Sequence, residues 1–523
     1  MKNVTVIGAG VGGIAAAARL AKNDYNVTVL EKNDAPGGRC GRADAEGYRF
    51  DTGATMILMP EFYRGAFRDL GERIEDHLDL TRVDPTYHLH FGDGTDLELT
   101  SDKERMREQL EAMERGSFDA FIRYMEEGAR HYRSAVPRFM ACEYRSLSQF
   151  LSPSNILGFA RLKALTKHYD NVSRYFKDER LRTAFTFQDL YMGLSPYAAP
   201  ATYSLIQYME DADGVWFPKG GMYSVVEALV SIAEKWGVRF VYNAPVARID
   251  VSGNRTTGVT LEDGSRHSAD IVLANADLSY VYRRLLPEDR TARRLGHKKY
   301  SASTVTFLWG MDRTFPQLAA HNLFFTPDIR GSAEPLFDGR GLPADPNFYV
   351  HAPARIDSSV APAGQDAVMI AIPSGHIDER SPQDWDALRE RAREAVLARL
   401  QGFGFGDIER YIKFEMTTTP RDWERRYNLV KGSVHGLSHE LTQMIYLRPH
   451  NRHARYTNLY FVGASTHPGT GLPNVLVSAR FAAQRILDDD GVQESPARTQ
   501  RYASLRGDTT PRTIPTAPVE VGQ

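Results

Sequence analysis

The sequence predicts an α/β fold, a parallel-sheet domain put together from separated stretches of chain with a second domain of mixed sheet and helices inserted into it. Three observations carry this. A β-branched run, an Ala-rich run and a second β-branched run follow one another within the first 31 residues. A similar apolar strand pattern stands at Ile271-Val272-Leu273-Ala274. Near the end, Leu459-Tyr460-Phe461-Val462 leads through a Gly/Pro-rich loop into an Ala-rich helix over 475–487, so the opening pattern returns.

In chain order, Val4-Thr5-Val6-Ile7, the helix-favouring residues 11–20 and Val27-Thr28-Val29-Leu30 read as a βαβ unit. Between 101 and 140, Met106, Leu110, Met113, Phe118, Phe121, Ile122 and Met125 recur at helical spacing among charged residues. An apolar helix pattern over 225–232 precedes strand-like Arg239-Phe240-Val241-Tyr242 and 246–251, and Asp263-Gly264 reads as a hairpin turn. The expected domains are therefore discontinuous: 1–80, 220–290 and 455–487 form the sheet domain, and 81–219 with 291–454 the inserted one. From 488 to 523 the chain is polar, with Pro496, Pro511, Pro515 and Pro518 among Arg, Thr and Ser, and a disordered tail is expected.

Composition excludes several classes of function. At 42% hydrophobic and 25% charged, the 523 residues are those of an ordinary globular chain. A formal net charge of −2 provides no global field for nucleic acid. Cys40 and Cys142 make neither a disulfide framework nor a zinc spacing. With no charged-then-apolar leader and no apolar run of about 18 residues, a cytoplasmic protein that meets any membrane from the side is expected.

Gly8-Ala9-Gly10-Val11-Gly12-Gly13 directly follows a strand and opens a helix, as a dinucleotide fingerprint requires. Gly8 permits the tight turn, Gly10 lets backbone N–H groups approach a pyrophosphate at the positive helix end, and Gly13 lets the helix lie close on the sheet. Glu31 closes the second strand, where a carboxylate accepts from ribose hydroxyls and disfavours a 2′-phosphate. Gly37-Gly38-Arg39 follows, an arginine able to pair with phosphate oxygens, and then Asp51-Thr52-Gly53. Together these are similar to the arrangement in flavoproteins of the amine oxidase and desaturase superfamily, which implies FAD rather than NAD.

The rest of the chain narrows the resemblance. Tyr191-Met192-Gly193-Leu194-Ser195-Pro196, Trp216-Phe217-Pro218-Lys219-Gly220-Gly221-Met222, Ala274-Asn275-Ala276-Asp277, Arg448-Pro449-His450-Asn451 and the stretch from Phe461 through Gly463 and Thr466-His467-Pro468 to Gly471-Leu472-Pro473 resemble, in order, the motifs of the phytoene desaturase family. The resemblance spans about residues 1–487. It implies a Rossmann-like FAD-binding domain with an inserted substrate domain. Gly463, Gly471 and Leu472 are then expected at the flavin ribityl and ring system, and Val246 on the adenine side. It further implies desaturation of an acyclic carotenoid precursor such as phytoene: flavin takes hydride from an allylic carbon, a proton leaves the neighbouring carbon, and quinone or dioxygen reoxidises the flavin. An amine oxidase, a related polyene dehydrogenase, isomerase or saturase, and a non-enzymatic isoprenoid-binding escort protein share the fold and stand as alternatives.

Two further features stay open. His467 suits general-base chemistry by its ordinary pKa, yet its Pro-Gly neighbours suit a loop-shaping role equally. Residues 155–182 combine apolar side chains with seven Lys/Arg and three Asp/Glu, an amphipathic basic stretch that either docks on a membrane surface or covers the core. No metal site is expected, since His435 and His439 have one-face spacing but no intervening carboxylate.

Overall fold

A computed structural model describes residues 1–338 and 341–492. Five strands form a wholly parallel sheet in the order Leu459–Phe461, Ile271–Ala274, Asn3–Ile7, Asn26–Leu30 and Arg239–Val241. Alternation along each strand separates its two faces. Val4, Val6, Val27 and Val29 pack with three helices, Val11–Ala21, Tyr223–Lys235 and Leu472–Asp489. Ile7, Leu30, Val272 and Ala274 pack the other way, against a three-stranded antiparallel sheet of Val246–Ser252, Arg255–Leu261 and Arg266–Ser268. The helix Val11–Ala21 is buried along its whole length because it lies against both other helices, and its Ala-rich sequence allows that close approach.

A second, seven-stranded sheet runs in the order Ile412–Thr418, Ser303–Met311, Asp366–Ser374, Phe348–His351, His321–Phe324, Tyr87–His90 and Asp96–Leu99. All its pairs are antiparallel except His321–Phe324 with Tyr87–His90. Helices Lys103–Met113 and Ser117–Ala135 follow its hairpin, the first capped by Asp102, whose carboxylate accepts from the N–H groups of Glu104 and Arg105.

The stretch 155–182 is not one amphipathic helix. It breaks into Pro153–Arg161, His168–Val172 and the start of Glu179–Ala184. Val172, Phe176 and Leu181 turn into the core beside Phe121 and Tyr124, Lys163 pairs with Glu127 and Arg180 with Asp178 and Asp93. In the second half of the stretch the apolar residues are thus part of the core, while Arg174 and Lys177 stay exposed. At the carboxyl end, Lys2 pairs with Asp490 and the last helix continues to Asp489; the tail expected from 488 otherwise lies, from 493 on, outside the described residues. Among the described residues, no helix is long and apolar enough to cross a membrane.

Candidate active site

Loops leaving the carboxyl ends of the parallel strands wall a continuous cavity of about 640 Å³, the position at which open parallel sheets bind ligands. Gly8 turns with φ +96°, a conformation that favours glycine, and its N–H donates to the Leu30 carbonyl at 2.7 Å. Gly10 then starts the helix Val11–Ala21, whose first turn has no side-chain cap and no acidic residue. Its positive end therefore faces the cavity through Gly10, Val11 and Gly12. A Cβ on Gly12 would lie 2.9 Å from Val475 Cγ1, and one on Gly13 only 2.3 Å from the Gly8 carbonyl oxygen. Gly13 does not itself line the cavity; it is what lets the helix sit down on the strand.

Glu31 is 5% exposed and lines the cavity. Its Oε2 accepts from the Ala9 N–H at 2.7 Å, and its Oε1 from the Asn33 N–H and Nδ2, both at 2.9 Å. The carboxylate thus braces the glycine loop as well as facing the void. Gly37 donates to the Ala9 carbonyl at 2.8 Å and brings Gly38 and Arg39 alongside Gly10. Arg39 donates Nη1 to the Val434 carbonyl at 2.6 Å, and burial pushes its guanidinium below the usual value against the pull of Asp277. A Cβ on Gly53 would stand 2.0 Å from the Arg39 carbonyl oxygen, so glycine admits that backbone. Asp51, two residues earlier, accepts from the N–H groups of Met222 and Tyr223 at 2.8 and 3.1 Å; burial nonetheless pushes it up to about 7.

The opposite wall comes from the last loop. Gly463, Gly471 and Leu472 line it, and Gly471, at φ +93°, starts the helix Leu472–Asp489, again with no side-chain cap and no acid in its first turn. Two uncapped helix N-termini therefore open on one cavity. Arg448, 1% exposed, holds this wall together: its guanidinium donates to the carbonyls of Leu437, Ser438, Gln443, Ala464 and Thr466. With no carboxylate among the described residues in direct contact, burial pushes it down to about 10. His439 accepts the Thr470 N–H on Nε2 at 3.0 Å, which places its ring proton on Nδ1, and that buried Nδ1 has no partner among the described residues.

From this polar end the cavity continues into an apolar branch between Phe139, Met140, Phe159, Leu162, Met444 and Ile445. Phe139 and Phe159 stack at 4.6 Å. A channel that begins at the buried Glu31 carboxylate, passes two uncapped helix N-termini and opens into an apolar chamber has the shape and charge to take FAD.

The structure brings Gly8, Gly10, Gly12, Glu31, Gly38, Arg39, Gly53, Val246, Gly463, Gly471 and Leu472 to this one cavity. His467 is absent from its lining. It stacks on Phe481 at 5.6 Å with Nε2 2.9 Å from the Cys142 carbonyl, and burial pushes it down to about 4. Its geometry is that of a loop-shaping residue, and the general-base reading is corrected accordingly. The histidines in the wall are instead His435 and His439, weighed in the sequence only as metal ligands. Their close spacing was the available signal. Asn275 was visible only as part of a motif, yet its side chain packs against Gly10, Gly12 and Gly13.

The chain matches the flavin-containing amine oxidoreductase family over residues 11–487. It is 44% identical to the zeta-carotene-forming phytoene desaturase of Myxococcus xanthus, over 97% of this chain and 98% of that protein. It is 40% identical to the phytoene desaturase of Phycomyces blakesleeanus, over 95% of this chain and 87% of that one. Among solved structures, an oxidoreductase from Methanosarcina mazei superposes with a TM-score of 0.60 at 17% identity, covering 91% of this chain and 99% of that one, a likeness of fold alone. The chain therefore belongs to the flavin-containing amine oxidoreductase family and, within it, to the phytoene desaturase family, as an FAD-dependent oxidoreductase acting on CH–CH groups.

Proposed function

We propose that the protein introduces double bonds into an acyclic carotenoid precursor such as phytoene. The supporting observation is the continuity of the glycine-lined channel with the apolar branch past Phe139 and Met444. Gly8, Gly10, Gly12, Gly38, Arg39 and Gly53 would cradle the pyrophosphate, with Gly13 seating the helix behind them. Glu31 and Val246 would flank the adenosine half, and Gly463, Gly471 and Leu472 the flavin half. FAD supplies the hydride acceptor.

The chain's own residues have three tasks. The apolar side chains align the hydrocarbon and exclude water. Burial keeps His435 neutral, with its pKa pushed down to about 4, and pushes His439 well below its usual value. Neither histidine then opposes the positive charge that develops on the polyene. Through its Nε2, His439 holds the Thr470 N–H and so the loop that carries Gly471.

The same reading includes reoxidation by quinone or dioxygen and peripheral attachment to the cytoplasmic face of a membrane. Leu147, Leu151, Ile156, Leu157, Leu165 and Leu447 are exposed, Leu165 at 91%. Exposed Arg161 and Lys167 lie in the same stretch. Beneath this patch, Phe139, Phe150 and Ile445 form a small cluster shared with the cavity wall. Apolar side chains ringed by cations suit an anionic bilayer surface.

The test is anaerobic incubation of the flavoprotein with phytoene in anionic liposomes, with and without a quinone. Bleaching of the flavin by phytoene and accumulation of coloured polyenes when quinone is present are expected. A flavin that stays oxidised beside phytoene overturns the assignment.

A further inference from the structure

At the edge of the seven-stranded sheet, the strands Tyr87–His90 and Asp96–Leu99 pair with His88 opposite Glu98 and His90 opposite Asp96. Tyr87, Leu89, Leu97 and Leu99 point into the core. The period of two therefore sends His88, His90, Asp96 and Glu98 to the other face. Ligating atoms of His88, His90 and Asp96 all lie within 4.8 Å of one another. His90 Nδ1 is 2.8 Å from Asp96 Oδ1, and His88 Nε2 is 3.8 Å from Asp96 Oδ2. Donor atoms bonded at about 2.0–2.2 Å to one tetrahedral ion stand roughly 3.5 Å apart, a spacing bracketed by these two separations.

We infer that His88, His90 and Asp96 bind one divalent first-row transition-metal ion, zinc being the representative. Two imidazoles and one carboxylate with open positions are the donor set such ions accept, and one that calcium and magnesium, which prefer oxygen, do not. His90 is held in place by stacking on Phe324 at 4.4 Å, and its buried Nε2 has no partner among the described residues. Asp96 has a half-exposed side chain and gives the ion an entry path. Glu98 does not complete the set, because it pairs with Arg105; solvent would fill the remaining positions. None of the three ligands lines the active-site cavity. The ion would tie together the last two strands at one edge of the sheet, in a place separate from the redox chemistry.

Full-length flavoprotein, stripped with EDTA and dialysed, is titrated with zinc chloride by calorimetry. Binding of one equivalent is expected, with a rise in melting temperature. His88→Gln and Asp96→Asn, both at the accessible side of the cluster, should weaken binding about tenfold or more and abolish the thermal shift. His77→Gln, which removes another histidine–carboxylate pair, should change nothing. Cobalt loading gives a second readout, a visible d–d spectrum present in the wild type and absent from His88→Gln. Wild type that takes up no stoichiometric zinc overturns the inference, as does unchanged binding in His88→Gln and Asp96→Asn.

Discussion

Replacing Arg448 by lysine keeps a positive charge in the wall of the active site while reducing the donors available to it. The arginine satisfies five carbonyls, from Leu437, Ser438, Gln443, Ala464 and Thr466. Lysine has three N–H donors, so at least two carbonyls around a side chain only 1% exposed lose their partner. At about 1–3 kcal/mol for each buried acceptor left unmade, the loss is about 2–6 kcal/mol. Arg448→Met keeps the length and orphans all five, a cost comparable with the whole stability of about 5–15 kcal/mol of a typical domain; that variant should fail to fold. A urea titration of Arg448→Lys, followed by flavin fluorescence and by circular dichroism in parallel, separates local from global damage. The flavin should be released at lower urea than the secondary structure melts, because the orphaned carbonyls belong to two segments of one cavity wall. A lysine variant within about 0.5 kcal/mol of wild type, the ordinary range for a neutral surface change, with unaltered flavin release would refute the assignment of Arg448 as the brace of that wall.

Gly13→Ala places a methyl 2.3 Å from the Gly8 carbonyl oxygen, so the helix must lift from the strand at about 1–3 kcal/mol; purified protein should carry little flavin by its visible absorption, whereas Gly296→Ala, where nothing lies within 4 Å, should carry the normal amount. His467→Gln should leave desaturation within a few-fold of wild type, and a loss of a hundredfold or more would restore the general-base reading. The same variant tests pH linkage. His467 is pushed down from 6.5 to about 4 in the folded state, so its contribution to stability is complete above the unfolded value and is lost as pH falls towards the folded one. The glutamine variant should therefore show an acid limb shallower by up to about 1.4 kcal/mol per pH unit in that window. Leu157→Glu combined with Leu165→Glu should reduce co-sedimentation with anionic liposomes about tenfold or more without changing flavin content; unchanged sedimentation would move the docking surface elsewhere.

Local chemistry made the nucleotide end of the site readable. Gly8, Gly13 and Glu31 act within one βαβ unit, and glycine, acid and helix start sit at fixed offsets along the chain. The five-stranded sheet was legible for a similar reason: strands buried on both faces are written as continuous β-branched runs such as Ile271-Val272-Leu273-Ala274. The seven-stranded sheet was not, because short strands such as His321–Phe324 and Phe348–His351 mix His, Asn and Tyr with apolar residues and show no continuous β-branched run. The fate of His467 was hidden likewise, since its partner carbonyl belongs to Cys142. The basic stretch was legible only in part, because charge counting ignores who pairs with whom: Lys163 is consumed by Glu127 and Phe176 by the core, while Arg161 and Lys167 stay exposed.

The strand Asn3–Ile7 lies in the middle of its sheet, flanked by Asn26–Leu30 and by Ile271–Ala274. A ribosome adds roughly 5–20 residues each second, so one flank of that strand stays bare for tens of seconds during synthesis. The loop carrying Gly463 and Gly471 emerges later still. The coenzyme can therefore be captured only by a polypeptide grown past Leu472, and until then a naked apolar strand edge must be shielded from its neighbours on the polysome. Yield in a foreign host should depend on chaperone supply and on growth temperature more than on flavin supply.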